Sequence, residues 1–262
     1  MAERESERFP AFFRALKPGA DIFVPLIAWT YFTIGFVIFF ASFRIVSALF
    51  HRDRKYTFQR LNHHFFRWFF RLLGVITPGL SYRIPEEVRA IRGSVIVSNH
   101  LSYLDPILLI SLYPLQKTIV KRTFFRVPIL GWVLRRSGYL PSATEGKLDL
   151  LMIRQMENLP EYLASGGNLF VFPEGTRSRN GRIGQFNKGA FKIARRCDAP
   201  IQVLRIRNTE RLFPPGGFRF RTCVANTISV ERVGNIELSD ETASGKASTS
   251  ELMDQVRGML EG

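Results

Sequence analysis

Residues 94–106 read Ser-Val-Ile-Val-Ser-Asn-His-Leu-Ser-Tyr-Leu-Asp-Pro, and the order of residue types within them decides the fold. The β-branched apolar run Val95–Val97 predicts a buried strand, which breaks at a Ser-Asn pair and leaves His100 at its carboxyl end. Asp105 and a proline follow in the same turn, and the apolar segment Ile107–Leu112 then predicts a helix. The stretch therefore predicts a strand, a tight turn that bears a histidine and an aspartate, and a helix.

The histidine and aspartate of this turn have two interpretations. Asp105 followed by proline is the pattern of a helix N-cap, and in that case His100 is only a loop residue. Alternatively the two side chains form a pair across the turn. The carboxylate would then fix the imidazole tautomer and stabilise its protonated form, while the other ring nitrogen takes a proton from a substrate.

A second stretch favours the catalytic interpretation. The apolar run Leu169–Phe172 predicts another buried strand, and residues 173–178 continue it as Pro-Glu-Gly-Thr-Arg-Ser. A glycine lets the backbone approach a ligand closely, and successive amides can form an anion-binding nest. An arginine supplies a planar fork for phosphate, so this turn predicts an anion site that contains Arg177.

Together the two stretches resemble the glycerolipid acyltransferase family, which contains the 1-acylglycerol-3-phosphate acyltransferases. The first block of that family, His-x4-Asp, is matched by His100 and Asp105, and its third block, Phe-Pro-Glu-Gly-Thr-Arg-Ser, is matched in full by residues 172–178. The resemblance covers roughly residues 75–210. It implies an O-acyltransferase that moves a fatty acyl group from an acyl thioester to a lysolipid hydroxyl in phospholipid biosynthesis.

The chain departs from the family pattern at two blocks. The second block usually reads Gly-x-x-Phe-Ile-Asp-Arg, and its arginine binds the acceptor phosphate, whereas Thr144 stands at that place here. The fourth block usually has a proline inside its strand, whereas Val203 occupies that position and Pro200 precedes it. The acceptor is therefore open: 1-acylglycerol-3-phosphate, giving phosphatidate, or another lysolipid such as a lyso-aminolipid or other lysophospholipid.

The resemblance also implies residue roles and partners. His100 is the expected general base and Asp105 its partner; the donor is acyl-CoA or acyl-carrier protein, and no metal or prosthetic group is needed. The expected substrate-binding residues are Glu174, Gly175, Thr176 and Arg177, together with Arg122 from a basic segment after the predicted strand Lys117–Val120. The alternative for that basic segment is that its charges face the membrane. A membrane-binding module without catalysis would lack one of the two blocks. A thioesterase or lipase would need a Gly-x-Ser-x-Gly elbow, which the sequence lacks.

Composition favours a membrane partner. The 262 residues carry a formal charge of +15, which is compatible with an anionic membrane surface or a nucleic acid. The 24 phenylalanines and the uncharged segment Ile22–Phe43, long enough to cross a bilayer core of about 30 Å, favour membrane lipids and argue against nucleic acid. The two cysteines form no CxxC pair, so neither a disulfide framework nor a zinc site is expected.

The charges that flank the apolar segment predict its orientation. Residues 1–21 carry four Lys or Arg and residues 44–71 carry seven, which places the catalytic domain on the cytoplasmic face. Residues 1–21 also suggest a short interfacial helix. The segment Tyr56–Leu73 interleaves aromatic residues with arginines, as in a helix that lies in the headgroup layer. The alternative is a helix that packs on the domain core and has a solvated basic edge.

The rest of the chain predicts an α/β fold: a mostly parallel sheet covered by helices, preceded by an N-terminal membrane-associated helical segment. The predicted domains are membrane-anchoring helices over 1–73 and a catalytic domain over 74–262. A further strand is predicted from Ile201–Ile206, and helices from Lys147–Leu163 and Gly189–Arg196. Residues 219–230 are β-rich and are expected at a sheet edge, residues 234–249 are expected to be loose, and Ser250–Leu260 predicts a closing helix capped by Ser250.

Overall fold

The protein is described here by a computed structural model that covers residues 11–50, 56–142, 147–178, 182–217, 219–238 and 248–262. Thr144, most of the segment 234–249 and the first part of the interfacial helix suggested over 1–21 lie outside the described residues. The strands within the described part are β1 Leu80–Arg83, β2 Val95–Ser98, β3 Gln116–Lys121, β4 Leu140–Ser142, β5 Asn168–Val171, β6 Ile201–Arg207 and β7 Asn226–Ile236.

These strands form one sheet in the order β1-β7-β6-β2-β5-β3-β4. Every neighbouring pair is parallel except β6 and β7, which are antiparallel. At the centre, Val97 of β2 lies level with Val171 of β5 and Val203 of β6. The mostly parallel α/β fold predicted from the sequence is therefore confirmed, and the carboxyl ends of the three central strands meet at one edge.

Helices cover both faces of this sheet because the central strands are apolar on both sides. Ile96 faces one layer and Val95 and Val97 face the other, as alternation along a strand requires. The described helices are α1 Ala11–Thr30, α2 Phe36–Phe50, α3 Thr57–Ile76, α4 Glu86–Arg89, α5 Leu104–Leu112, α6 Leu130–Arg136, α7 Lys147–Glu157, α8 Leu159–Ala164, α9 Gly189–Cys197, α10 Thr209–Leu212 and α11 Thr249–Glu261, with a 3₁₀ segment at Arg122–Arg126.

Two helix boundaries differ from their prediction. The helix predicted over Lys147–Leu163 is interrupted at Asn158, between α7 and α8. The N-cap of α11 is Ser248 rather than Ser250: the Ser248 hydroxyl accepts the N–H of Glu251, whose carboxylate accepts the Ser248 N–H in return. This reciprocal arrangement satisfies two donors at the helix start, which is why the helix begins two residues earlier than predicted.

The strand β7 also differs from its prediction. It begins at Asn226, later than the predicted β-rich segment, and it lies between β1 and β6 rather than at an edge of the sheet. The reason is that β1 pairs with its first residues, Asn226 to Ser229, and so becomes the outer strand.

The N-terminal helices form one apolar rod. A π-helical segment, Tyr31–Gly35, joins α1 to α2. The stretch Lys17–Phe43 is 27 residues long with a mean hydropathy of 2.1 and is long and apolar enough to cross a membrane, by length and composition alone. Most of it is not buried against the rest of the protein, and side chains such as Ile22 and Ile38 are exposed. This finding is weak evidence for a membrane-associated segment.

The helix α3 packs the phenylalanines of its aromatic face on the protein. Its residues Phe58, Phe65 and Phe69 are buried, and the Phe65 ring contacts Tyr31 of the π-helical segment with ring centroids 4.8 Å apart. The buried phenylalanines favour the alternative interpretation of this helix, because that face joins the N-terminal rod to the domain core. Its basic edge remains exposed, as the alternative interpretation expected.

Candidate active site

The strand β2 ends immediately before a turn that brings His100 and Asp105 together. The His100 Nδ1 atom lies 2.9 Å from Asp105 Oδ2. The carboxylate is fully buried and the imidazole is 14% exposed, so one partner is held in the protein interior while the other reaches the surface. Because Nδ1 is engaged by the carboxylate, Nε2 is the ring nitrogen that can accept a proton from a bound molecule.

The Asp105 carboxylate does not cap the helix that contains it. The helix α5 begins at Leu104, and Oδ2 accepts the N–H groups of Leu101 and Ser102, at 2.6 and 2.7 Å, which lie before the helix. The N-cap pattern of Asp before Pro is therefore misleading here. The carboxylate folds back on the turn and fixes the loop that carries His100, which is what a catalytic pair requires.

Further contacts hold both the ring and the backbone of His100 in place. Its ring stacks on Phe172, with centroids 4.3 Å apart and planes 25° from parallel. Its backbone N–H donates to Glu174 Oε1 at 3.3 Å, and its carbonyl accepts the N–H of Ser178 at 2.8 Å. The turns after β2 and β5, which are neighbouring parallel strands, are therefore joined by hydrogen bonds around the histidine.

The Glu174 side chain holds the second turn in place through hydrogen bonds. Its side chain is buried, and its two carboxylate oxygens accept N–H groups from His100 and, at 2.8 Å, from Gly184. Gly175 has a φ of +66°, and a Cβ atom there would lie 3.0 Å from Asn187 Nδ2, so a side chain at this position would be strained. Of the expected substrate-binding residues, Gly175 and Thr176 are exposed at the turn, whereas Glu174 points inward and shapes it.

Arg177 lies over the turn between the two residues of the pair. Its guanidinium carbon is 3.4 Å from the centroid of the Tyr103 ring, a stacked cation–π contact. Its Nη1 atom is buried and has no hydrogen-bond partner in the described part of the chain. A buried guanidinium nitrogen without a partner is costly, and an anionic group of a ligand would satisfy it.

Arg122, the remaining expected binding residue, begins the 3₁₀ segment that follows β3. Because β3 is parallel to β5, Arg122 lies at the same edge of the sheet as the histidine. Its side chain is half-buried.

Sequence reasoning missed a hydroxyl that completes the pair. The Thr209 Oγ1 atom donates to Asp105 Oδ1 at 2.5 Å, and both side chains are fully buried. Burial, with the charge of Asp105 as a smaller contribution, raises the pKa of the neighbouring Glu210. Thr209 begins α10 after β6, 104 positions along the chain from Asp105, so only the strand order brings it to the site.

The end of β6 also holds the histidine turn through Asn99. The Asn99 side chain donates to the Ile206 carbonyl at 2.8 Å and accepts the Ile206 N–H at 2.7 Å. This paired hydrogen bond continues the β2–β6 pairing by one residue beyond the end of β2. The histidine turn is therefore attached to β6 as well as to β5.

Replacing Thr209 with valine is expected to lower kcat by about tenfold, since a hydrogen bond to a charged group contributes about 1.5–3 kcal/mol. The KM values should change little because Thr209 acts through Asp105 and not on a substrate. Thr209→Ser retains the hydroxyl and should restore most of kcat, which a purely space-filling role would not predict. Steady-state kinetics of both variants, with thermal unfolding as a check of folding, decides between the two.

The comparisons with known proteins agree with this geometry. The family model described as Acyltransferase matches residues 79–207, from the turn before β1 to the end of β6. That region contains both turns of the site. Residues 79–207 of this chain form a domain of the acyltransferase family. The resemblance drawn from the His-x4-Asp and Pro-Glu-Gly-Thr-Arg-Ser stretches is thereby confirmed.

Curated relatives in this acyltransferase family carry one shared description. The chain is 37% identical over 125 residues to a chloroplastic 1-acyl-sn-glycerol-3-phosphate acyltransferase of Brassica napus. The alignment covers 47% of this chain and 35% of that protein. The chain is 31% identical to the Saccharomyces cerevisiae 1-acyl-sn-glycerol-3-phosphate acyltransferase, over 50% of this chain and 44% of the yeast protein. A Pseudomonas aeruginosa protein of the same description is 24% identical over 69% of this chain and 72% of its own. The match to the first two spans less than half of their length.

A solved structure shares the whole fold. The crystal structure of the 1-acyl-sn-glycerophosphate (LPA) acyltransferase PlsC from Thermotoga maritima superposes with a TM-score of 0.67 at 20% sequence identity. The alignment covers 94% of this chain and 95% of that one, so it includes the N-terminal helices as well as the acyltransferase domain. Among the residues described in the present structure, no group of three or more His, Cys, Asp or Glu side chains could hold a metal ion.

Proposed function

We propose that this chain transfers a fatty acyl group from an acyl thioester to the free hydroxyl of 1-acylglycerol-3-phosphate and so forms phosphatidate. The observation that carries the proposal is the His100–Asp105 pair, 2.9 Å apart, with the Arg177 guanidinium stacked over the same turn. The turn that bears a candidate base is thus in contact with a cation suited to a phosphate, and a phosphorylated lysolipid would use both. The three relatives described above are named for the same acceptor, which supports the proposal.

The reaction needs no nucleophile from the protein because the acceptor supplies its own hydroxyl. His100 Nε2 takes the hydroxyl proton as that oxygen attacks the thioester carbonyl, and the Asp105 carboxylate stabilises the imidazolium that forms. Collapse of the tetrahedral intermediate breaks the carbon–sulfur bond. The leaving thiolate then takes the proton from the imidazolium, which returns His100 to its neutral form. The relay matches that of a serine hydrolase, with the lysolipid in place of the serine.

The donor and the membrane are part of the proposal. The donor is an acyl-CoA or an acyl-carrier protein, and no bound cofactor takes part. The exposed apolar side chains of Lys17–Phe43 support attachment to the bilayer from which the acceptor comes. The excess of basic residues after this segment supports a catalytic domain on the cytoplasmic face.

Purified protein offered a panel of lysolipids, each with labelled acyl-CoA and with labelled acyl-carrier protein, tests this function directly. The expected result is transfer to 1-acylglycerol-3-phosphate with a higher kcat/KM than to any lysolipid that lacks a phosphate monoester. A second candidate acceptor, a lyso-aminolipid or another lysophospholipid, is favoured by Thr144 at the place of the usual second-block arginine. A higher kcat/KM for such a lipid than for 1-acylglycerol-3-phosphate would show that the proposed acceptor is wrong.

Arg177→Lys is expected to raise the KM for the acceptor by about tenfold and to leave the donor KM nearly unchanged. A lysine keeps the charge but loses the planar fork and the stacking on Tyr103, and that contact is worth about 1–2 kcal/mol when desolvated. The matched control is Arg196→Lys, an exposed arginine at the end of α9, which should behave as wild type. A defect confined to the donor KM would assign Arg177 to the acyl carrier instead.

A further inference from the structure

A cavity of about 380 Å³ lies between α3, β1, α4 and α5. Its lining includes neither residue of the His100–Asp105 pair. Its interior is mostly apolar: the buried side chains of the lining are Phe70, Leu108 and Leu112, with Ser111 as the one buried polar residue among those that line it. The volume falls within the range of about 300–1,000 Å³ typical of small-molecule sites.

Three arginines line the same cavity. Arg67 and Arg71 project from α3 and are exposed, and Arg89 at the end of α4 is half-buried. One carboxylate, the exposed Glu86, also belongs to the lining. Because the apolar residues are buried and the arginines reach solvent, the cavity has an apolar interior and a cationic rim.

The rim arginines are not neutralised by the protein. Among the described residues, no ion pair joins Arg67, Arg71 or Arg89 to a carboxylate. Burial, with smaller contributions from the charges of His64, Arg67 and Arg92, lowers the pKa of His63 to about 4. The side of α3 next to the cavity therefore carries a net positive potential.

The surface beside the cavity is apolar and exposed. Trp68 is 59% exposed, and the Arg71 guanidinium lies 4.8 Å from the centroid of its ring. Val75, two turns further along α3, is 83% exposed. Tryptophan and arginine are the side chains that favour the headgroup level of a membrane, with the ring toward the acyl chains and the cation toward phosphate.

We propose that this cavity, formed by α3, β1, α4 and α5, binds the phosphate headgroup of an anionic phospholipid at the membrane surface. The phosphate lies between Arg67, Arg71 and Arg89, and the glycerol and first methylenes enter the apolar interior against Phe70 and Leu108. The site is separate from the acceptor site, whose anion-binding residue is Arg177. This proposal rests on the membrane attachment that is part of the proposed function.

The apolar interior and the neighbouring Trp68 select a lipid over free phosphate as the occupant. Inorganic phosphate would meet the three arginines but would leave the walls of the cavity unfilled. A lipid headgroup satisfies both parts, and a membrane presents it at the height of Trp68. Bound in this way, an anionic lipid fixes the rotation of α3 about its axis relative to the bilayer.

The test uses the full chain and a soluble lipid, so that diffuse attraction to a charged surface does not contribute. Titration calorimetry compares dihexanoylphosphatidylglycerol, dihexanoylphosphatidylcholine and inorganic phosphate, each below any micelle-forming concentration. We expect the anionic lipid to bind more tightly than the other two. In Arg67→Gln/Arg71→Gln its affinity should fall about 25-fold, fivefold for each arginine.

The matched control is Arg60→Gln/Arg196→Gln, which removes the same charge from exposed positions outside the cavity. It should bind the soluble anionic lipid as wild type does. An equal loss in both double variants, or equal binding of inorganic phosphate and the lipid, would overturn the proposal. Vesicles of phosphatidylcholine with and without phosphatidylglycerol should show the same ranking of variants in sedimentation.

Acyl transfer in detergent separates this proposal from the proposed function. The Arg67→Gln/Arg71→Gln variant should keep the wild-type kcat and acceptor KM, because its arginines lie outside the catalytic turn. A raised acceptor KM would place the cavity in the acceptor site and overturn the assignment of a separate lipid. If wild-type protein binds the anionic lipid but transfers no acyl group, the cavity proposal stands and the proposed function fails.

Discussion

His100→Ala is expected to lower kcat by about 10²–10⁴-fold, the usual contribution of a general base. Alanine removes Nε2, the ring nitrogen left to accept the hydroxyl proton while Nδ1 is bound to Asp105. It also leaves Phe172 without its stacked ring, so a modest loss of stability should accompany the loss of rate. Initial rates with saturating donor and acceptor measure the first effect, and thermal unfolding measures the second.

The matched control for this substitution is His64→Ala. His64 is an exposed histidine on α3 and has no contact with the catalytic turn, so its removal should leave kcat unchanged. Substrate binding should survive in His100→Ala, because Arg177 and the second turn remain in place. A variant that kept more than about a tenth of the wild-type kcat would show that another group removes the proton.

Asp105→Asn is expected to have the second largest effect, a fall in kcat that approaches the 10⁴-fold typical of a lost carboxylate in a His–Asp pair. The asparagine amide can face Thr209, whose hydroxyl can accept as well as donate, while its oxygen retains the N–H groups of Leu101 and Ser102. The turn therefore keeps its shape, and the negative charge beside His100 is lost.

The substitution separates a structural role of Asp105 from a catalytic one. If the carboxylate served only to hold the turn, the asparagine variant would lose little rate, since most of its hydrogen bonds survive. Parallel measurements of kcat and of the free energy of unfolding distinguish the two cases. Asp198→Asn is the control: this exposed aspartate follows α9 with a φ of 47°, a conformation that asparagine adopts well.

Local patterns were sufficient for the elements that form the site. The apolar runs that end at His100 and before residues 173–178 are short, β-branched or aromatic, and followed by residues that break a strand. The structure places β2 and β5 at these runs and pairs them in parallel. Parallel neighbours end at the same edge, which is why His100 and Glu174, 74 positions apart, lie in one site. The sequence assigned both motifs to one site through the family resemblance alone.

Where local pattern and tertiary contact disagreed, the tertiary contact prevailed. Asp before Pro predicts an N-cap, yet Asp105 turns toward His100 because three donors and Thr209 surround its carboxylate. The aromatic residues and arginines of α3 predict a lipid-facing helix. The same phenylalanines are buried, because the N-terminal rod lies against them.

The sequence by itself determined the α/β class, the turn that bears His100 and Asp105 and the turn that bears Arg177, because strand periodicity, turn chemistry and close spacing are all local properties. Only the tertiary structure decided that Thr209 completes the pair, that Phe172 stacks on the imidazole and that Arg177 lies over Tyr103. These contacts join separate strand ends. They depend on the order of strands in the sheet and on the packing of side chains across it, which no periodicity along the chain encodes.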